Sequence, residues 1–371
     1  MLRRFSVTNF KNFKEKLTFD LGSPSNYAFN AEVIDAGIKS KGIIYGTNGS
    51  GKSNLTLALF DIVLHVTDKE RILSKYYPYL NLDSQNKHAE FEYVFDFFGN
   101  EVVYRYRKTA PMELVSEELS ICGDEVLRYD FSKREGFVFL AGTETLQLSS
   151  NLPSETDRIS RVKYVRSNAI LQDTERNRAF LEFVSFVDRM LLFFSLDEKG
   201  YQGLSVGSDS FTQGIIRAGK IKEFQEFLSQ EGLEYDLVSV EINGQEELYC
   251  RYSNTSVPFI NVASTGTKSL ALFYYWFIKM SEASFVFIDE FDAFYHFELS
   301  EDIVTRLKGI EGVQIFLTTH NTDLLSNDLL RPDAYYIVKD GSLDSLDRLS
   351  KKELRSAHNI QKMFKAGSFD V

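Results

Sequence analysis

Residues 46–53 read Gly46-Thr47-Asn48-Gly49-Ser50-Gly51-Lys52-Ser53 and fill every fixed position of the pattern G-x-x-x-x-G-K-[ST]. The glycines let the backbone turn with its N–H groups pointing inward, where a side chain would block contact with phosphate oxygens. Lys52 supplies a positive charge for the β- and γ-phosphates, and the Ser53 hydroxyl is suited to a Mg²⁺ ion. All eight residues are therefore candidate ligands of a nucleoside triphosphate.

The sequence on both sides of this stretch supports a P-loop. Residues 42–45 predict a short buried strand, and residues 54–66 carry apolar side chains at helical spacing. This order of strand, loop and helix places the positive end of the helix dipole at the phosphate site. A glycine-rich turn that matches by chance is the alternative, and this context disfavours it.

Composition limits the classes of protein to consider. With 371 residues, 43% hydrophobic and 14% aromatic, the chain can bury a large core and form about two domains or lobes. Its longest apolar stretches, such as residues 270–277, are shorter than the roughly 20 residues of a membrane span. The amino terminus lacks the pattern of an export signal, and two cysteines suggest no disulfide framework. We expect a cytoplasmic protein that does not enter the membrane.

The net charge of -11 argues against a surface that grips nucleic acid throughout, because binding to phosphates requires clustered Lys and Arg. A local basic groove stays open as a hypothesis. Its candidates are Arg158, Arg161, Lys163, Arg166, Arg176 and Arg178. The alternative is a solvated charged face on which nearby acids balance these residues. Those acids are Glu155, Asp157, Asp173 and Glu175.

The order of predicted elements gives an α/β fold with three parts. Residues 1–150 hold the P-loop among strands, including a hairpin around Gly99-Asn100. Residues 151–235 are predicted to form a compact helical insertion, and residues 236–371 begin with a hairpin around Asn243-Gly244. The insertion has an apolar stripe at helical spacing, which is typical of a core or an interface. The stripe comprises Phe180, Phe183, Val184, Val187, Met190, Leu191 and Phe194.

An acidic pair ends an apolar run at residues 285–290. Such a run is typical of a strand buried on both faces of a sheet, and ligands bind at the carboxyl ends of these strands. Asp289 is then a candidate Mg²⁺ ligand, and Glu290 a candidate to polarise the attacking water. The alternative is a buried strand that merely ends at an acidic turn.

Two further segments carry candidate contacts to the nucleotide. Residues 313–320 predict an apolar strand that ends at His320, which could donate a hydrogen bond to the γ-phosphate. Residues 261–270 place small side chains at the start of a helix, where exposed N–H groups form an anion site. The alternatives are a structural histidine and an ordinary N-capped helix.

This order of elements is similar to the ATPase head of the ATP-binding-cassette class. It resembles the soluble branch related to chromosome-maintenance and recombination ATPases. Within that branch it resembles the stand-alone bacterial ATPases of the AAA type, many of which occur in phage-defence and abortive-infection operons. The matching residues are 5–13 (FSVTNFKNF), 46–53, 264–269, 288–292 with His296, 318–320, 357–360 and 366–369.

The resemblance implies a two-lobed P-loop NTPase head with a mixed sheet that binds ATP and Mg²⁺. It also implies a homodimer with two ATP molecules between the subunits. Ser264 and Gly266 would then contact the γ-phosphate bound by the other chain, and Asp292 would lie at the dimer seam. Transporter cassettes have Ser-Gly-Gly-Gln where this chain has Ser264-Thr265-Gly266-Thr267, which favours the soluble branch. Gln85 is a candidate for the glutamine loop, with a surface residue as the alternative.

The resemblance implies an ATPase that acts as a switch. The first hypothesis is control of a separately encoded effector, a nuclease or a toxin, in antiviral defence. It rests on the segment after His320, which carries no acidic cluster suited to a two-metal nuclease site. The second is a repair or recombination ATPase that clamps DNA. The third is the nucleotide-binding subunit of a transporter, which the sequence of residues 264–267 disfavours.

Overall fold

The computed structural model describes residues 1–69, 73–148, 159–194, 201–202, 210–293 and 297–369, with only the backbone at 201–202 and 297. Their strands are β1 (Leu2–Thr8), β2 (Leu17–Asp20), β3 (Ile34–Asp35), β4 (Ile38–Lys39), β5 (Lys41–Tyr45), β6 (Ala89–Phe97), β7 (Asn100–Ala110), β8 (Glu113–Ile121), β9 (Asp124–Asp130), β10 (Glu135–Val138), β11 (Met190–Phe194), β12 (Tyr201–Gln202), β13 (Leu237–Ile242), β14 (Gln245–Arg251), β15 (Ser256–Pro258), β16 (Phe285–Asp289), β17 (Gln314–Thr319), β18 (Tyr335–Lys339) and β19 (Ser342–Ser345).

The helices of the same residues are α1 (Lys52–Phe60), α2 (Val63–Val66), α3 (Arg161–Asn168), α4 (Glu175–Asp188), α5 (Phe211–Arg217), α6 (Ile221–Gln230), α7 (Phe259–Val262), α8 (Thr265–Phe277), α9 (Phe297–Lys308), α10 (Leu346–Leu349) and α11 (Ile360–Lys365). This mixture confirms the predicted α/β class. Within the described residues, no helix combines the length and apolar character that crossing a membrane requires.

One large sheet is antiparallel, with the strand order β10-β9-β8-β7-β6-β1-β2. Its β6–β7 hairpin turns at Phe98 and Gly99, whose φ angles of 57° and 86° fit the predicted hairpin. Strand β1 ends at Thr8, within the matching stretch 5–13. The reason is local, because Asn9 and Lys11 have φ angles of 56° and 49° that extended strands do not allow.

The second large sheet has the order β12-β11-β16-β17-β5-β18-β19, and its members from β11 to β18 are parallel. Strands β5, β16 and β17 are buried along their whole length, as expected where both faces of a parallel sheet are covered. The predicted strands before the P-loop, the acidic pair and His320 are therefore confirmed as neighbours in one sheet.

Two hydrophobic cores lie on opposite faces of this parallel sheet. Phe285, Phe287 and Phe316 belong to the core that also contains the antiparallel sheet and helix α1. Val286 and Ile288 belong to the other core, together with helix α8. The alternation along β16 follows from the two-residue period of a strand. The parallel sheet is thus the middle layer of the fold, and the P-loop lies at its edge.

Part of the apolar stripe that was predicted to be helical forms a strand instead. Met190, Leu191 and Phe194 were expected on a helix, but they form β11, which pairs in parallel with β16. Helix α4 ends at Asp188, and the apolar run that follows forms a strand between β12 and β16 in the buried sheet. Periodicity alone cannot separate a short buried strand from a buried helix, which explains the error.

The remaining helices of this segment belong to different cores. Helices α3 and α4 pack toward the antiparallel sheet, whereas α5 and α6 pack against α8. The boundaries at residues 151 and 235 stay a proposal. If they are kept, strand β11 must be assigned to the nucleotide-binding sheet rather than to the insertion.

Candidate functional site

The P-loop joins the end of β5 to the start of α1, as the sequence predicted. Gly49 and Gly51 have φ angles of 81° and 110°, which non-glycine residues rarely adopt. A Cβ atom on Gly46 would lie 2.9 Å from the carbonyl oxygen of Val338 on the neighbouring strand. Conformation requires two of the glycines, and close packing requires the third.

Lys52 lies folded over its own loop. Its Nζ donates hydrogen bonds to the carbonyl oxygens of Gly46 at 2.7 Å and Thr47 at 3.3 Å. Burial lowers the pKa of Lys52, and the negative charges of the acidic segment, led by Glu290, oppose this change. The acidic pair is therefore close enough to Lys52 for its negative charge to affect the pKa of the lysine.

The site fits a phosphate group and a Mg²⁺ ion. The Ser50 hydroxyl is buried and has no hydrogen-bond partner among the described residues. The side chain of Ser53, the first after the lysine, is exposed. Asp289 at the end of β16 is only 7% exposed, and carboxylate and hydroxyl oxygens are the ligands that Mg²⁺ prefers. The described residues contain no cluster of three His, Cys, Asp or Glu side chains that could hold a metal ion.

The acidic pair is fixed by the neighbouring strand β17. The Thr318 hydroxyl donates a hydrogen bond to Oδ1 of Asp289 at 2.6 Å and accepts one from the Glu290 backbone N–H at 2.7 Å. Glu290 has a φ of 49°, an uncommon conformation for a residue with a side chain. The chain therefore turns sharply just after the buried strand.

His320 and the P-loop line the same cavity. It has a volume of about 810 Å³ and lies at the carboxyl ends of β5, β17 and β18. Its walls are Tyr45 to Ser50, His320, Thr322, Ile337 to Asp340, and Phe364 of α11. The predicted neighbourhood of His320 and the P-loop is therefore present, as expected for the edge of a parallel sheet.

Ser264 and Gly266 lie elsewhere. Ser264 is the N-cap of α8, and its Oγ accepts a hydrogen bond from the Thr267 N–H at 3.1 Å. The Ser264 side chain is exposed, and neither residue is among those that line the P-loop cavity. Within one chain, the structure does not bring this segment to the P-loop.

Asp292 is held inside its own chain. Its Oδ2 accepts a hydrogen bond from the Thr319 hydroxyl at 2.7 Å. Its Oδ1 is buried and has no hydrogen-bond partner among the described residues. His296, which the resemblance included, lies outside the described residues.

Several residues at the site were not candidates from sequence. Asn12, in the turn between β1 and β2, donates a hydrogen bond to the Ser50 carbonyl oxygen at 3.4 Å. Its only sequence signal is its place in the segment 5–13, and Thr318 and Thr319 gave none beyond their position before His320. Gln85 is exposed in the loop before β6 and does not line the cavity.

The candidate basic groove is neutralised by acids of the same chain. Among its described members, Arg161 is buried with its guanidinium 4.0 Å from the ring centre of Tyr129. The others pair with carboxylates, as Lys163–Asp68, Arg166–Asp188, Arg176–Asp124 and Arg178–Asp173. Arg158 lies outside the described residues. Pairing with carboxylates is what the alternative of a balanced charged face predicts, but only Asp173 of the four acids named for it is one of these partners. Glu155 and Asp157 lie outside the described residues.

The P-loop, the acidic strand and the strand that ends in His320 define a P-loop NTPase of the ATP-binding-cassette type. Residues 43–326 match the family described as "AAA domain, putative AbiEii toxin, Type IV TA system". The chain belongs to this family, whose model matches more than half of its length. No curated protein matches the sequence.

Solved structures of SMC heads are similar to this chain at low sequence identity. The SMC head domain from Thermotoga maritima is 15% identical, with a TM-score of 0.47, and the match covers 93% of this chain and 97% of that one. An Smc head from Pyrococcus furiosus, bound to the C-terminal domain of ScpA, is also 15% identical, with a TM-score of 0.43 and coverage of 93% and 95%.

Proposed function

We propose that this protein binds and hydrolyses ATP as a switch that closes by dimerisation. The proposal depends on one observation, that Lys52, the acidic pair and His320 all lie near the carboxyl ends of strands of the parallel sheet. These groups are the ones that phosphoryl transfer to water requires: a cation for the phosphates, a metal ligand and a group that orients water.

Each residue of the site would have a separate role in the reaction. Lys52 would exchange its bonds to the loop carbonyls for bonds to the β- and γ-phosphate oxygens. Ser53 and Asp289 would hold Mg²⁺, which neutralises charge on the phosphates when bound. Glu290 would orient the attacking water and take its proton, and His320 would donate a hydrogen bond to the γ-phosphate.

The position of residues 264–266 at the start of α8 supports the dimer. Ser264 is exposed at the start of α8 and away from the cavity of its own chain. A second copy could therefore supply Ser264 and Gly266 to the γ-phosphate, with Asp292 at the seam. ATP would then bind the closed dimer more tightly than the open one, and hydrolysis would remove this preference.

The output of the switch is a separately encoded effector in antiviral defence, in a cytoplasmic setting. The family description names a putative AbiEii toxin and a toxin–antitoxin system, which supports the role in defence. The alternative is a DNA-clamping ATPase. The neutralised charges of the middle segment give that alternative little support. A transporter subunit is the weakest alternative.

A pair of variants tests the switch. We expect Glu290→Gln to bind ATP normally, to lose about 10²- to 10⁴-fold in turnover and to accumulate as a dimer, because binding no longer leads to hydrolysis. Lys52→Ala should weaken ATP binding and stay monomeric. Lys133→Ala, an exposed lysine away from the site, is the control. Light scattering with and without ATP reports the dimer, and rapid turnover by the glutamine variant would contradict the assigned base.

Two measurements distinguish control of an effector protein from clamping of DNA. Co-purification from the native operon, with and without phage, should recover an effector protein, and recovery of the chain alone in both cases would remove the main support. Duplex DNA binding that is strengthened by ATP and weakened by salt would instead favour the clamp.

A further inference from the structure

Two consecutive threonines of β17 both contact the acidic segment that follows β16. Thr318 and Thr319 are fully buried, and neighbouring residues of a strand point to opposite faces of a sheet. The two side chains would therefore not be expected to bind the same short segment.

The turn at Glu290 explains how they do so. Ile288 pairs with Leu317 in the parallel register, so Asp289 lies beside Thr318 on the face toward α1. The φ of 49° at Glu290 then redirects the chain, and Asp292 reaches Thr319 on the opposite face. Each threonine thus holds one side of the turn.

Thr318 makes two hydrogen bonds to the acidic pair and a third to Phe291, the next residue. Its hydroxyl donates to Oδ1 of Asp289 and accepts from the Glu290 N–H, and its carbonyl oxygen accepts from the N–H of Phe291 at 3.2 Å. A hydroxyl can donate once and accept, so both of these roles are used. The hydrogen bond to Oδ1 restricts the rotation of the Asp289 carboxylate.

We propose that Thr318 is a positioning residue, which orients the Asp289 carboxylate for the metal and stabilises the left-handed backbone of Glu290. The proposal rests on the proposed function, in which Asp289 binds Mg²⁺. Removing a group that orients a metal ligand typically costs 10- to 100-fold in metal affinity or activity. A role limited to packing would lower stability without changing how the metal affects nucleotide binding.

The test measures the affinity for a non-hydrolysable ATP analogue by calorimetry, with Mn²⁺ and with EDTA. We expect Thr318→Val to keep the metal-free affinity and to lose about 10- to 100-fold of the gain that Mn²⁺ gives. Thr318→Ser, which retains the hydroxyl, should keep the gain within about threefold. Thr318→Ala differs from the serine variant only by the hydroxyl, and this pair carries the test if the valine variant does not fold.

The matched control is Thr143→Val. Thr143 is also buried, and its hydroxyl donates to the Leu140 carbonyl oxygen at 2.7 Å, away from the site. This variant should keep the full gain with Mn²⁺. The proposal is overturned if Thr318→Val or Thr318→Ala keeps the wild-type gain, or if Thr318→Ser loses as much as they do. If the unmodified protein binds no nucleotide or shows no gain with Mn²⁺, the proposed function itself fails.

Discussion

The side chains of Asn12 and Asn54 are joined by a hydrogen bond of 2.7 Å from Nδ2 of Asn54 to Oδ1 of Asn12. Asn12 belongs to the turn between β1 and β2, and Asn54 lies in the first turn of α1. Nδ2 of Asn12 also donates to the Ser50 carbonyl oxygen at 3.4 Å. The turn of the antiparallel sheet thus contacts the P-loop through Asn12. Asn12 also lies so close to Gly51 that a Cβ atom on Gly51 would collide with the asparagine side chain.

This contact predicts that Asn12→Ala weakens ATP binding. An exposed hydrogen bond contributes about 0.5–1.5 kcal/mol, which corresponds to about a 2- to 10-fold rise in Kd. The reason is that the P-loop loses a brace on the side of Gly51, so part of the binding energy must order the loop. Titration with a fluorescent ATP analogue measures the effect.

The control for this prediction is Asn168→Ala. Asn168 is exposed and donates to the Tyr164 carbonyl oxygen at 2.9 Å on helix α3, away from the P-loop. Its removal should leave the Kd unchanged. Equal affinities of the Asn12 and Asn168 variants would show that the turn does not support the loop.

A buried ion pair predicts a large effect on stability. Asp61 follows helix α1, and its Oδ1 is 2.6 Å from Nζ of Lys108, with both side chains fully buried. Burial raises the pKa of Asp61, and the charge of Lys108 opposes that rise. The hydroxyls of Tyr79 and Tyr106 donate to the same carboxylate, each at 2.9 Å.

Lys108→Met should therefore destabilise the protein by about 3–5 kcal/mol, because a carboxylate stays buried without its cation. Urea unfolding measures this change. Lys133→Met removes an exposed lysine 3.9 Å from Asp130 and should change stability by less than about 0.5 kcal/mol. Adding Asp61→Asn to Lys108→Met should recover part of the loss, and no recovery would contradict the electrostatic explanation.

Lys41 predicts a defined pH dependence of stability. Its Nζ donates to the Val313 carbonyl oxygen at 2.8 Å, and burial lowers its pKa to about 8, with a smaller opposing effect of Asp35. The unfolded chain has an ordinary lysine pKa of about 10.4. Between these values the unfolded state binds more protons, so the stability contribution of Lys41 rises with pH.

The comparison of the unmodified protein with Lys41→Met isolates this effect, since other groups titrate alike in both. The difference in unfolding free energy should be constant below pH 7. It should then shift in favour of the unmodified protein by up to about 1.4 kcal/mol per pH unit between pH 8 and 10. A flat difference across this range would show that Lys41 has an ordinary pKa in the folded state.

Much of the fold was predictable because its signals are local. The P-loop, the strands before Asp289 and His320, and the hairpins at residues 99 and 243 each depend on short patterns of residue type. The run Met190–Phe194 was not predictable, since a short apolar stretch fits a helix and a buried strand equally well. Only its pairing with β16 decides between them.

The sequence by itself indicated the chemistry available to this protein, because the P-loop with Lys52 is encoded in one run of consecutive residues and the acidic pair in another. Tertiary structure decided which groups support the phosphate site. Asn12 contacts the site from the turn between β1 and β2, and Thr318 and Thr319 contact it from β17. Such contacts depend on sheet order and register. It also placed Ser264 away from the cavity and paired the basic residues of the middle segment with acids, since both depend on packing between distant parts of the chain.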